Sequence, residues 1–223
     1  MRAVIKFTKG DEVKFVSHLD MLRLFQRAFR RAGLPLAFSQ GFNPHPLMSF
    51  ATALSVGVTS AGEYLDVILT EELPTERIKN EVNAMLPVGV EIVEVYDASG
   101  SKASLTSAMR SAEYDIKITF PNPIEEGELR RNADELLSGE IIVQKKTKGG
   151  IKPTDIRPMV KELAVIGAEG CTARLHMRGV LTAEGGLNPE LLLAELYKKL
   201  GTEGVSAVHR TEIEMDMKAL LEP

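Results

Sequence analysis

The sequence predicts an α+β protein built from two ferredoxin-like (βαββαβ) halves with antiparallel sheets. Three observations lead there: short β-rich runs alternate with helix-period segments, a small polar stretch interrupts them at 97–111, and the same order restarts afterwards. The expected domains are residues 1–97 and residues 112–223, each with its own sheet, joined by the candidate linker DASGSKASLTSAMRS, in which a short helix could form at 105–110. At 223 residues there is room for two small cores.

Residues 3–8 are rich in β-formers, and Gly10-Asp11 supplies a turn before 13–16. Ser17 opens SHLD, an approximate capping box with Asp20 at the third helical position. Leu22, Phe25, Phe29 and Ala32 recur at helical spacing until Gly33 and Pro35 end the helix. Strands are expected at 47–54 and 63–70, a helix at 74–86 and a strand at 88–96. After the linker come a strand at 114–120, a helix at 124–137, and strands at 140–146, 159–166 and 172–181. Asn188-Pro189, an N-cap followed by proline at the first helical position, opens a helix to 200, and 208–215 closes as a strand. The second half thus carries one strand more than the first.

A hydrophobic content of 44% and a charged content of 26% are those of an ordinary soluble globular protein, and no apolar run is long enough to span a bilayer. The N-terminus lacks an apolar core followed by a cleavage site, so a cytoplasmic protein is expected. The single cysteine, Cys171, excludes an internal disulfide framework and any iron–sulfur or zinc site built from several thiolates; it is expected to be an inert core thiol. No cofactor and no metal site are expected in this chain.

The formal charge of -4 hides segregation. Residues 1–50 hold eight Lys/Arg against three acids, residues 51–100 two against nine, and residues 140–161 six against two. On the first helix Arg23, Arg27, Arg30 and Arg31 fall at i, i+4, i+7 and i+8, a row suited to phosphates or to an acidic partner. The loop at 39–46, SQGFNPHP, is stiffened by two prolines and displays Ser39, Gln40, Asn43 and His45. A second basic element, QKKTKGGIKPTDIRP at 144–158, offers Lys145, Lys146, Lys148, Lys152 and Arg157 as phosphate contacts. Phe38 and Phe42 could supply stacking surfaces, whereas core packing is expected of Phe50. His18 and His45 bracket the helix and are the candidates for acid–base catalysis, provided the loop folds back so that both line one cleft. His45 and Asn43 are expected at the rim of a pocket together with a basic side chain.

The run from 17 to 67, with its SHLD and QGFNPHP blocks, and TDIRP at 154–158 resemble the radical-SAM-linked (radical-SAM-associated) protein family. Members stand beside, or are fused to the C-terminus of, a cobalamin-binding radical SAM protein. The resemblance implies that partner and no reaction of its own. At fold level only, paired ferredoxin-like halves are similar to CRISPR-processing endoribonucleases and to some pseudouridine synthases, and no residue role is carried over.

The leading expectation is a non-catalytic accessory of a radical SAM enzyme that binds RNA or presents a phosphate-bearing substrate. The alternatives are an RNA-processing or RNA-modifying enzyme using His18 and His45, and a protein-docking module marked by a large apolar patch. A homodimer through an exposed sheet edge stays open.

Overall fold

The computed structural model describes residues 1–147 and 150–222, the side chains of Lys146 and Thr147 excepted. Two compact units divide the chain: Met1–Arg110 with Glu212–Pro223, and Ser111–Thr211.

In the first unit, β1 (Arg2–Lys9), α1 (His18–Arg31), β2 (Met48–Phe50), β3 (Thr59–Ile68), α2 (Thr75–Asn83) and β4 (Val90–Asp97) follow one another. The strands lie in the order β2-β3-β1-β4, and each neighbouring pair is antiparallel. The period-2 pattern of β1 sends Ala3, Ile5 and Phe7 into the core with Leu65 and Val67 of β3 and Ile92 of β4. The helical period of α1 adds Met21, Phe25, Ala28 and Phe29, and α2 adds Ile78 and Val82. Phe7 and Phe25 meet edge to face at 4.8 Å. Phe50 packs on both rings, as the sequence suggested. Gly33, at a φ of 68°, closes α1 in the left-handed conformation that a side chain disfavours.

The stretch at 97–111 is a packed segment, where a linker had been expected. It holds α3 (Leu105–Ala108), whose Leu105 and Ala108 are buried, and β5 (Met109–Thr119) begins at once after it. The second unit continues with α4 (Glu126–Leu137), β6 (Ile142–Thr147), β7 (Gly150–Asp155), β8 (Val160–Glu169), β9 (Thr172–Thr182), β10 (Gly185–Gly186) and α5 (Pro189–Leu200). β11 (Val205–Met215) and α6 (Met217–Leu221) end the chain. Asn188 caps α5 as expected, accepting from the Glu190 N–H at 3.1 Å.

The observed arrangement differs from the expected one in several respects. There are not two separate sheets: one large, mostly antiparallel sheet runs β10-β9-β5-β11-β3-β1-β4, with β2 on β3 and β8 on β9. β11 is an 11-residue strand of this sheet. Where the sequence suggested a second half over 112–223, the second unit is Ser111–Thr211, and the residues from Glu212 onward group with the first. The strand expected at 140–146 is present as β6 and pairs with β7 in a separate two-stranded hairpin. Cys171 is half-buried at the turn before β9, not a core thiol. Among the described residues no helix is long and apolar enough to cross a membrane.

Within the first unit, Glu212 is held by an ion pair with Lys6 and by the Tyr64 hydroxyl, which donates at 3.4 Å. Burial, and then the charge of Glu212, push the Tyr64 phenol above its ordinary pKa. Gly62 lets the backbones approach here: a Cβ at this position would sit 3.1 Å from the Glu212 Cα. Gly62→Ala should therefore destabilise the protein by about 1–3 kcal/mol, the usual cost of overpacking. Urea unfolding checks this, and a variant as stable as the wild type would show that the approach is not tight.

Candidate nucleic-acid interface

The start of α1 is set by a buried charge. Lys9, 4% exposed at the end of β1, donates through Nζ to the carbonyls of Lys14 and Val16, each at 3.1 Å. Desolvation pushes its ammonium below the ordinary 10.5, and the negative charge of Glu63, also 4% exposed, acts in the opposite direction. The bonded turn delivers Ser17 to the N-cap. Its hydroxyl accepts from the Asp20 N–H at 3.2 Å and donates to Asp20 Oδ2 at 2.8 Å. Lys9, Glu63, Ser17 and His18 line a pocket of about 20 Å³, the space of roughly one water. His18 stands edge to face with Phe50 at 5.1 Å.

Beyond the cap, α1 turns its arginines outward. Arg23, Arg27, Arg30 and Arg31 are exposed, opposite the buried Met21, Phe25, Ala28 and Phe29. Arg23 is paired with Asp20 at 2.8 Å. Arg31 donates to the Met85 carbonyl and is thereby committed to holding the chain after α2. Arg27 and Arg30 make no hydrogen bond or ion pair among the described residues, although the charge of Arg27 also helps to hold down the Asp20 carboxyl, so the unbonded positive charge of the row centres on them. The Ser17 hydrogen bond, followed by that of Arg23, holds the Asp20 carboxyl below its ordinary 3.8.

The 39–46 loop is pinned at its base. The Ser39 N–H donates to the His45 carbonyl at 2.9 Å, the His45 N–H donates to Ser39 Oγ at 3.1 Å, and Phe38 and Pro46 form an isolated bridge. Ser39 Oγ also lies 2.9 Å from His45 Nδ1. With the serine donating to Nδ1, the neutral ring carries its proton on Nε2. Gln40, Phe42, Asn43 and His45 are exposed, and Phe42 has no cover at all.

His45 lines a pocket of about 300 Å³ together with Met48, Ser49, Asp66 and Ile68. The charged residue lining it is acidic, where a basic one had been expected, and Asp66 is itself held by Arg2 at 2.7 Å. His18 lines the small pocket and His45 this one, so the two imidazoles do not share a lining.

The second basic element belongs to the other unit, on the β6–β7 hairpin. Lys145 is half-buried and Lys152 exposed; Lys148 and the side chain of Lys146 lie outside the described residues. Arg157 is a correction to the candidate contacts. Its Nε donates to the Leu137 carbonyl at 2.5 Å and its Nη1 to the Val160 carbonyl at 3.1 Å, which makes it an internal brace. Asp155 fixes the same corner by accepting from the N–H groups of Ile141 and Arg157. Among the described residues no cluster of three or more His, Cys, Asp or Glu could hold a metal ion.

Sequence reasoning missed Lys9 and Glu63. Both stand in strands, and only the tertiary packing reveals that they are buried.

The profile of the family described as "Uncharacterized protein conserved in bacteria (DUF2344)" matches residues 2–189. The chain belongs to this family. No curated protein matches it by sequence. Among solved structures it is similar to a chain of a Cbf5-Nop10-Gar1 complex (TM-score 0.57, 13% identity), covering 96% of this chain and 50% of that one. A second similar structure is an H/ACA RNP bound to a substrate RNA containing 2'-deoxyuridine (0.57, 11%, 96% and 49%). A third is an archaeal box H/ACA sRNP Nop10-Cbf5 complex (0.51, 15%, 93% and 46%). The DUF2344 chain thus spans about half the length of the chains it resembles, and at these identities the likeness is one of fold.

Ser17→Ala removes both the cap and the hydrogen bond to Asp20. It should cost about 1 kcal/mol and raise the Asp20 carboxyl back toward 3.8. Because the folded carboxyl lies below the unfolded one, its contribution is complete above the ordinary value and drains away as pH falls through the lowered one. NMR titration of Asp20 in both proteins checks this; an unchanged titration would mean that the hydroxyl does not hold the carboxylate.

Proposed function

We propose that this DUF2344 chain is a non-catalytic accessory that binds RNA, or a phosphate-bearing substrate, through the outer face of α1. The observation that carries the reading is the pair Arg27 and Arg30, exposed and without a hydrogen-bond or ion-pair partner among the described residues, on a helix whose opposite side is fixed in the core. Two unspent guanidinium forks on a rigid element are well matched to phosphate oxygens. Phe42, fully exposed in the pinned loop, offers a stacking face for a base. The exposed His45 ring offers a polar group beside it. The fold likeness to chains of RNA–protein complexes agrees with this reading and lends it no residue role.

The partner proposed for this accessory is a cobalamin-binding radical SAM protein, on the sequence resemblance alone. A catalytic His18–His45 pair is not part of the proposal, since the two rings line different pockets.

Reversing Arg23, Arg27 and Arg30 to glutamate should abolish binding of single-stranded RNA while leaving the thermal transition nearly unchanged, because all three side chains are exposed. Phe42→Ala should weaken binding without loss of stability. Fluorescence anisotropy with labelled oligonucleotides, run beside thermal melts, measures both. Undiminished binding by the triple variant would refute the assignment of the site to α1.

A further inference from the structure

β5 and β9 pair antiparallel without a register break from Ser111–Val180 to Thr119–Thr172. One face of this pair, with Ile116, Ile118, Leu175 and Met177, is buried. The other carries three consecutive charged rungs: Glu113–Arg178, Asp115–His176 and Lys117–Arg174. The first two rungs set an acid against a base. Arg178 lies 3.6 Å from Glu113, and His176 Nδ1 lies 3.1 Å from Asp115. The third rung breaks the pattern by placing two cations directly opposite each other.

Like charges facing across a strand pair are destabilising. Lys117 and Arg174 are both exposed, and neither has a hydrogen-bond or ion-pair partner among the described residues. On its other flank Arg174 faces Gly167 of β8, which has no side chain of its own; the carboxylate near that glycine, Glu126, is paired with Arg130 at 2.7 Å. The next rung, Thr119–Thr172, supplies two hydroxyls.

We propose that the Lys117–Arg174 rung is a binding site for a phosphate group. The guanidinium fork and the ammonium converge on one anion, which relieves their mutual repulsion, and the threonine rung can donate beside them. The phosphate can be free or part of a nucleic-acid backbone. The site uses no residue of α1 and stands independently of the function proposed above.

The test is thermal unfolding of the full chain in tripolyphosphate against sodium chloride of equal ionic strength. The wild type should gain several degrees in tripolyphosphate beyond the chloride control. Lys117→Thr/Arg174→Thr should lose that gain, and should melt no lower than the wild type in chloride, since a repulsion has been removed. Lys117→Arg should retain the gain, and so should Arg27→Glu/Arg30→Glu, which separates this site from α1. In a second arm, the threonine variant is titrated with single-stranded RNA. Affinity reduced several-fold assigns the site to a nucleic-acid backbone, whereas unchanged affinity with a lost tripolyphosphate response assigns it to a small phosphate ligand. A tripolyphosphate response that is absent in the wild type, or intact in the threonine variant, overturns the proposal.

Discussion

The first unit depends on one buried ammonium. Lys9 is 96% removed from solvent, a state that a lone cation could not sustain, and it is held by two carbonyl acceptors and the negative charge of Glu63. Those carbonyls belong to Lys14 and Val16, so the same interaction that satisfies the charge bends the chain into the helix start. Everything α1 presents follows from where that turn is fixed: Ser17 at the cap, His18 toward the small pocket, and the arginines outward.

The arginine row is less uniform than its spacing suggests. Asp20 neutralises Arg23 from one turn away, and Arg31 is turned to a backbone carbonyl, which concentrates the free charge at two central positions. The loop that follows α1 is similarly divided. Ser39 and the His45 backbone close its base, and this closure holds Phe42 and Asn43 out in solvent at little entropic cost to a ligand.

Local features were legible in the sequence because they depend on neighbours in the chain. The Ser17 cap, the α1 period, the Gly33 stop and the Asn188-Pro189 start each rest on a few consecutive residues. Features that depend on strand partners were not legible. Nothing in 205–215 indicates that its strand lies within one large sheet, which therefore escaped prediction. Lys117 and Arg174 are 57 positions apart and become neighbours only through the β5–β9 register. Arg157 looked like one more basic residue in a charged loop, yet the carbonyls of Leu137 and Val160 claim it. Hydrogen-bond partners supplied by distant backbone leave no trace in composition.

If Arg27 and Arg30 contact phosphate as proposed, the salt dependence of binding reads those contacts out. Affinity for a single-stranded RNA should be measured across a range of salt for the wild type and for Arg27→Gln/Arg30→Gln. Each phosphate contact contributes about 0.7 to the slope of log K against log salt for single strands. The slope should be shallower by about 1.4 in the variant, from two such contacts. Equal slopes in the two proteins would contradict the proposal.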